Sequence, residues 1–170
     1  MVRSSLSFIA IALLLGCTSK QETELIQGYS EKVTYHKQLQ KTEKTQLYQD
    51  NVTKVMLTAT YLYTPNFENH DTRDEVFIVG LYSEGQTAGA LNSDGNTLTL
   101  NGKIAKSVKA LSPEDERLKA LSFVTPWSNY YLVTFPHESS KKITLLFEST
   151  LYGKGELHFA KVAKYVLDKS

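Results

Sequence analysis

The sequence predicts an all-β domain, an antiparallel β-sandwich with one short helix. Seven or eight segments rich in β-branched and aromatic residues follow one another from residue 33 onward. Turn-forming Gly, Pro, Asn and Ser residues separate these segments, and only one stretch has the signals of a helix start. We expect immunoglobulin-like topology, although the Cys…Trp…Cys marker of immunoglobulin domains is absent. A small closed β-barrel, such as a lipocalin-like one, is the alternative.

The first predicted strands lie between residues 33 and 63. The segment 33–49 (VTYHKQLQKTEKTQLYQ) fits either edge strands or a polar helix, and we favour strand or extended chain. The clearest strand is Val52–Tyr63 (VTKVMLTATYLY), because apolar and polar residues alternate along it and Pro65 ends it. One face of this strand is predicted to hold Val55, Leu57, Ala59 and Tyr61.

The middle of the chain predicts a central strand, a hairpin and the helix. Residues 75–82 (EVFIVGLY) are apolar on both faces, as in a strand covered on both sides. Asn101-Gly102 predicts a tight hairpin, since both residues tolerate positive φ. Ser112, as an N-cap before a first-turn proline, predicts a short helix near 113–120. Three further strands, NYYLVTF, KKITLLFES and ELHFAKVAKYVL, complete the prediction.

Size and charge narrow the classes of protein to which the chain can belong. A length of 170 residues suits one folded domain. The net charge is +1, and it falls to zero without the first sixteen residues, which contain only Arg3. A neutral body disfavours a nucleic-acid binder and supplies no polybasic segment for membrane attachment. The single cysteine excludes an intrachain disulfide and a cysteine-based zinc site.

The amino-terminal segment MVRSSLSFIAIALLLGC has the composition of a signal peptide. Arg3 gives a positive start, and Leu6–Leu15 is an uncharged apolar run. Ten helical residues span about 15 Å, half the hydrocarbon thickness of a bilayer, so the run is too short to cross a membrane. The stretch that ends in Gly16-Cys17 resembles the bacterial lipobox, with Leu15 at a place where a small residue is preferred.

This resemblance implies a lipid-anchored bacterial envelope protein. It implies cleavage before Cys17, a diacylglycerol on the Cys17 sulfur and acylation of the new amino terminus. Two or three acyl chains give lasting attachment, whereas one does not. The predicted organisation is a signal peptide at 1–16, a lipidated cysteine with a polar tether at 17–30, and one sandwich domain at 31–170. Thr18, in place of the aspartate that retains enteric lipoproteins at the inner membrane, implies the outer membrane where the source has two membranes.

The remaining chain carries a fainter resemblance. TKVMLTATYLYTPNF and YYLVTFP are similar to stretches in uncharacterised bacterial lipoproteins with a sandwich domain. That resemblance implies no activity.

Candidate site residues are few. The four histidines have no metal-binding spacing, and we predict no metal site and no cofactor. The acidic stretch ENHDTRDE (68–75) is interpreted as a solvated loop rather than a cation site, and NSDGN (92–96) as a turn. Trp127, Tyr130 and Tyr131 are candidate contacts for a partner or a glycan, with core filling as the alternative interpretation.

The leading functional hypothesis is a lipid-anchored, non-enzymatic binding or structural module of the cell envelope, which has an envelope protein as its partner. No catalytic motif is present in the sequence, which supports a non-enzyme. The first alternative is a carrier or sensor that holds a lipid or small ligand in an apolar cavity. The second is an enzyme acting on cell-wall or glycan material near Trp127.

The anchor hypothesis predicts that Cys17→Ser abolishes lipid labelling, because serine offers no sulfur for the thioether. Metabolic labelling with a palmitate analogue and membrane fractionation check this. A variant that still fractionates with membranes would contradict attachment through Cys17.

Overall fold

The computed structural model describes residues 41–65, 71–85, 91–92, 95–121 and 123–161. The predicted signal peptide, Cys17 and the polar tether lie outside the described residues. The described elements are, in chain order, β1 (Thr42–Gln49), β2 (Val52–Tyr61), β3 (Glu75–Ser83), β4 (Asn96–Leu100), β5 (Lys103–Ile104), β6 (Ser107–Leu111), α1 (Glu116–Lys119), β7 (Asn129–Phe135), β8 (Lys142–Ser149) and β9 (Gly153–Ala160).

The strands form two antiparallel sheets, which confirms the predicted sandwich. One sheet has the order β1-β2-β3-β7-β6, and the other has the order β5-β4-β8-β9. Strands β2-β3-β7-β6 and β4-β8-β9 occupy the places of the A-B-E-D and C-F-G strands of immunoglobulin domains, with β1 and β5 added. Among the described strands no hydrogen-bonded pair joins the two sheets, so the alternative of a closed barrel is wrong.

Strand β2 shows why the alternating pattern gives this fold. Its four predicted inward residues are all buried, and the strand pairs with β1 on one side and β3 on the other. Strand β3 lies in the centre of its sheet, between β2 and β7, as its two apolar faces predicted. The ambiguous segment 33–49 is a strand from Thr42 onward, and its earlier residues lie outside the described residues.

A group of aromatic rings fills the core at one end of the sandwich. The ring centroid of Phe77 lies 4.6 Å from that of Tyr61, 5.3 Å from that of Phe159 and 6.0 Å from that of Phe135. These residues come from both sheets, so the contacts join the sheets face to face. At one side the sheet edges meet at β1 and β9, where the absent side chain of Gly155 leaves room for Thr45.

Two tight turns depend on positive φ angles. Asn101 and Gly102 have φ of 47° and 79°, which confirms the predicted hairpin between β4 and β5. Asp50 and Asn51 have φ of 51° and 61° and join β1 to β2. Both turns match the type I′ requirement for positive φ at two successive residues.

The helix exists, but it begins later than predicted. Asp115, not Ser112, is the N-cap of α1, and its carboxylate accepts a hydrogen bond from the Arg117 backbone N–H at 3.0 Å. The Arg117 guanidinium also pairs with Asp115 and holds the pKa of that carboxyl down, at about 2. Leu118 buries against Ile78 and Tyr130 on the outer face of the five-stranded sheet.

No helix in the described part of the chain is long and apolar enough to span a membrane.

The two ends of the sandwich are called the basal end and the apical end. The basal end holds the starts of β1, β3, β6 and β8, the ends of β2, β7 and β9, and the hairpin that joins β4 to β5. The apical end holds the Asp50-Asn51 turn, the connection 112–128 that carries α1, and the turn 150–152. The chain therefore enters β1 at the basal end and leaves β9 there.

Gly80 in β3 predicts a test of the sheet's outer face. A Cβ at this position would lie 2.6 Å from a ring carbon of Tyr130 and 2.8 Å from Thr58 Oγ1. We expect Gly80→Ala to lower the free energy of unfolding by about 1–3 kcal/mol through overpacking. Urea denaturation checks this, with Ser83→Ala in the same strand as a control that changes stability by less than about 0.5 kcal/mol. A Gly80→Ala protein at least as stable as the wild type would contradict the close packing.

Candidate functional site

The three aromatic residues predicted as contacts occupy different environments. Trp127 is 62% exposed and precedes β7 at the apical end. Tyr130 and Tyr131 are each 7% exposed, and they point to opposite faces of the sheet. Of the three, Trp127 alone offers its ring to a partner, because the other two are packed against core residues.

Tyr130 fixes the loop that carries Trp127. Its hydroxyl accepts a hydrogen bond from the Thr125 backbone N–H at 2.8 Å and donates one to the Phe123 carbonyl at 2.9 Å. The Thr125 and Ser128 hydroxyls, 2.9 Å apart, close the loop further along. These bonds hold residues 123–128, here called the apical loop, in one conformation.

The apical loop presents apolar side chains to solvent. Phe123 is 47% exposed and Val124 40% exposed, and both lie within four positions of Trp127. Pro126 limits the backbone freedom between them. Exposed aromatic groups on a loop held by hydrogen bonds are typical of interaction hot spots, since little conformational entropy is lost when a partner covers them.

A second candidate site lies at the basal end, around the buried carboxylate of Glu75. Glu75 is 1% exposed and is the first residue of β3. One carboxylate oxygen accepts a hydrogen bond from the Tyr61 hydroxyl. The other oxygen accepts hydrogen bonds from the Lys161 ammonium and, at 2.9 Å, from the Glu138 backbone N–H. His137 Nδ1 lies 3.6 Å from the same oxygen and 3.0 Å from the Arg73 carbonyl oxygen. These five residues are here called the basal cluster: Tyr61, Glu75, His137, Glu138 and Lys161.

The basal cluster is not predicted from the sequence. Glu75 begins β3, as the predicted strand 75–82 requires, but the interpretation of 68–75 as a solvated loop is wrong for Glu75, because burial and three donors make it part of the interior. A signal was present: positions 75, 77 and 79 share one face of the strand, so Glu75 stands on the same face as Phe77 and Val79. A carboxylate on a core face needs donors, and the sequence does not say which residues supply them.

The two acidic residues described in the preceding loop, Asp71 and Asp74, are both paired. Asp71 accepts bidentate hydrogen bonds from the Arg73 guanidinium at 2.8 and 2.7 Å, and this holds the pKa of the Asp71 carboxyl well below its usual range. Asp74 accepts from Lys106 at 2.6 Å. The Arg73 guanidinium also lies 5.4 Å from the ring centroid of Tyr63. The charges of this loop thus serve local structure.

A shallow groove of about 410 Å³ runs beside the basal cluster on the outer face of the sheet. Its lining residues are Tyr61, Leu62, Tyr63, Thr64, Arg73, Asp74, Val76 and Thr134. Two charged residues line this groove. Arg73 is paired with Asp71 and Asp74 is paired with Lys106, so the partner largely offsets the charge of each. The groove is open to solvent and mixes apolar and polar surface. Its described lining residues include no nucleophile in hydrogen-bond contact with a base.

The stretches 68–75 and 92–96, interpreted from the sequence as a solvated loop and a turn, are described only in part. Within the described ranges no three His, Cys, Asp or Glu residues are grouped in a way that could hold a metal ion. In NSDGN, the Asn92 side chain accepts a hydrogen bond from the Leu98 N–H at 2.9 Å, and Gly95 has φ of 82°. These are turn contacts; Ser93 and Asp94 lie outside the described residues.

Comparison with known proteins yields no relative: no protein-family profile matches the chain, no curated protein matches it, and no solved structure matches it significantly. Function therefore has to be argued from the chain's own residues.

The basal cluster predicts a pH-dependent contribution of Tyr61. Burial and the hydrogen bond to Glu75 raise the pKa of Tyr61 above its ordinary value. The neutral hydroxyl therefore stabilises the fold below the unfolded pKa of about 10, and this contribution is lost as pH rises further. We expect Tyr61→Phe to lower the free energy of unfolding by about 1–3 kcal/mol near neutral pH, and the gap to the wild type to narrow near pH 11.

Urea unfolding at both pH values measures this gap. Tyr48→Phe is the control, because Tyr48 is exposed and its hydroxyl contacts only the neighbouring Gln46 among the contacts described. A gap that stays constant into alkaline pH would contradict the role given to the Tyr61 proton.

Proposed function

We propose that the protein is a lipid-anchored, non-enzymatic binding module of the bacterial cell envelope that holds a protein partner at its apical loop. The single observation that carries this proposal is the rigid, exposed apolar surface of Phe123, Val124 and Trp127. The lipid anchor on Cys17 is the other half of the proposal, and it rests on the lipobox resemblance.

The apical loop supports binding because its order is independent of a partner. The Tyr130 hydroxyl bonds two backbone groups of the loop, so the loop is held in position while its apolar side chains stay in water. Trp127 by itself contributes a large aromatic side chain that is more than half exposed. Covering such a ring at about 25 cal/mol per Å² favours association by a few kcal/mol, while the ordering cost has already been met in the folding of the loop.

The core argues for a surface site over an internal one. Tyr61, Phe77, Phe135 and Phe159 occupy the space between the sheets with ring centroids 4.6 to 6.0 Å apart. A carrier of lipid or small ligand needs that space. A protein that binds its partner at the surface does not need this space. The packing between the sheets therefore supports the binding hypothesis over the carrier hypothesis.

Site-specific photocrosslinking tests the proposal. A photoreactive amino acid in place of Val124 should crosslink one recurring protein in native membranes, because Val124 adjoins Trp127 on the exposed loop. Adding Trp127→Ala to that chain should reduce the crosslink at least about tenfold, as expected for loss of a hot-spot residue. The melting temperature should stay close to that of the parent, since the Trp127 side chain is largely outside the core.

Ile104 supplies the matched control. It is 77% exposed and lies at the basal end, so it is an exposed apolar residue away from the apical loop. A photoreactive group at Ile104 would therefore sample a different surface. Ile104→Ala combined with the Val124 probe should leave the crosslink intact. A probe at Val124 that captures nothing reproducible, or a crosslink indifferent to Trp127→Ala, would overturn the apical loop as the binding surface.

A further inference from the structure

The described charges are divided between the two ends of the sandwich. In the connections and terminal strand residues of the basal end there are seven lysine or arginine side chains and four acidic ones. The basic residues are Lys41, Arg73, Lys103, Lys106, Lys141, Lys142 and Lys161; the acidic ones are Asp71, Asp74, Glu75 and Glu138. The described basal end therefore has a net side-chain charge of about +3, although the whole chain carries only +1.

Each of the four basal acids has a basic partner among the described residues. Asp71 pairs with Arg73, Asp74 with Lys106, and Glu138 with Lys103 at 3.1 Å. Glu75 pairs with Lys161 in the interior. Among the ion pairs of the described residues, none involves Lys141 or Lys142, and both side chains are exposed at the start of β8.

The apical end has the opposite sign. Its connections and α1 hold five acidic residues and two basic ones in the described part. These are Asp50, Glu84, Glu114, Asp115 and Glu116, with Arg117 and Lys119. Strand residues near this end add Lys54, which pairs with Glu84, and Lys154, which lies opposite Glu148, so the net side-chain charge there is about −2. On the described charges, an anionic surface attracts the basal end and repels the apical one.

We propose that the basal end docks on the anionic phospholipid headgroups of the membrane, with Lys141 and Lys142 as its principal contacts. Charge complementarity carries this proposal, since basic side chains near an anionic leaflet are attracted within about a Debye length. It deepens the proposed function and rests on the anchor, because the acyl chains would keep the protein beside such a surface. Docking in this orientation presents the apical loop to a partner.

The covalent link alone does not set this orientation. Cys17 and Thr42 are twenty-five positions apart, so the intervening chain spans at most roughly 85 Å. An eight-residue strand such as β1 is only about 27 Å long. Either end of the sandwich could therefore reach the membrane, and the charge distribution selects the basal one.

Lysine footprinting on the full-length lipidated protein tests the proposal. The protein is reconstituted into vesicles of phosphatidylcholine alone, or of phosphatidylcholine with one-third phosphatidylglycerol, and is labelled with a membrane-impermeant amine reagent. On the anionic vesicles, labelling of Lys141 and Lys142 should fall at least about threefold, and it should recover when ionic strength rises from about 0.02 M to about 0.3 M. Labelling of Lys119 and Lys154 should not change. Equal labelling of Lys141 and Lys142 on both vesicles would overturn the proposal.

The only tryptophan of the chain reports the competing orientation. If the apical loop entered the bilayer, brominated lipids would quench Trp127 fluorescence. Docking through the basal end leaves Trp127 unquenched on anionic vesicles, and strong quenching there would overturn the proposal.

Charge reversal provides matched variants. The double variant Lys141→Glu/Lys142→Glu should abolish the salt-sensitive protection from labelling, which is measured at Lys103 and Lys106 in this experiment. The control variant Lys119→Glu/Lys154→Glu changes the net charge by the same amount and should preserve that protection. Protection that survives the first pair, or that is lost equally in both, would overturn the assignment. The wild-type salt titration gives an answer even if a variant fails to fold.

Failure of the anchor is distinguishable from failure of the docking. Flotation with pure phosphatidylcholine vesicles reports the acyl chains alone, since these vesicles carry no net charge. A chain that does not float there but is still protected on anionic vesicles at low salt would contradict the anchor and support the docking surface.

Discussion

The buried carboxylate of Glu75 is the constraint on which the basal half of the sandwich depends. An uncompensated carboxylate in the interior is strongly unfavourable, so its hydrogen-bond donors must all be in place. They come from the end of β2, from the connection after β7 and from the residue after β9, which are separated from Glu75 by 14, 63 and 86 positions. The fold therefore has to bring both sheets together at this end before the charge is satisfied.

The same constraint explains why the two candidate sites differ in character. At the basal end the polar groups are committed to one another: Lys161 bonds both Glu75 and the Glu138 carbonyl oxygen, and Lys103 pairs with the Glu138 carboxylate. Such a network holds structure and leaves little free chemistry. At the apical end one hydroxyl, that of Tyr130, orders a loop whose apolar side chains have no partner in the core. The proposed partner-binding surface is therefore the apical end.

Local sequence patterns predict the structural features that depend on neighbouring residues. They do not predict the features that depend on contacts between residues far apart in the chain. The alternation in β2 and the Asn101-Gly102 turn follow from backbone geometry, and both were predicted. The helix cap was misplaced because Ser112 and Asp115 both suit an N-cap, and the added pairing with Arg117 favours Asp115. The different exposure of Trp127 and Tyr130 depends on the packing of α1 over the sheet. This packing cannot be predicted directly from the sequence.

A net charge near zero is a poor description of how this protein meets a charged surface. At physiological ionic strength the Debye length is about 8 Å, whereas the strands that separate the two ends are about 27 Å long. A membrane at the proposed docking surface would meet the basal cations and would be screened from the acids of the apical end. A net charge near zero describes the chain as a single point, and a single neutral point has no electrostatic attraction to a membrane. Because the charges are separated by more than a screening length, each end acts as a surface of its own sign, and orientation becomes a property that the folded chain can encode.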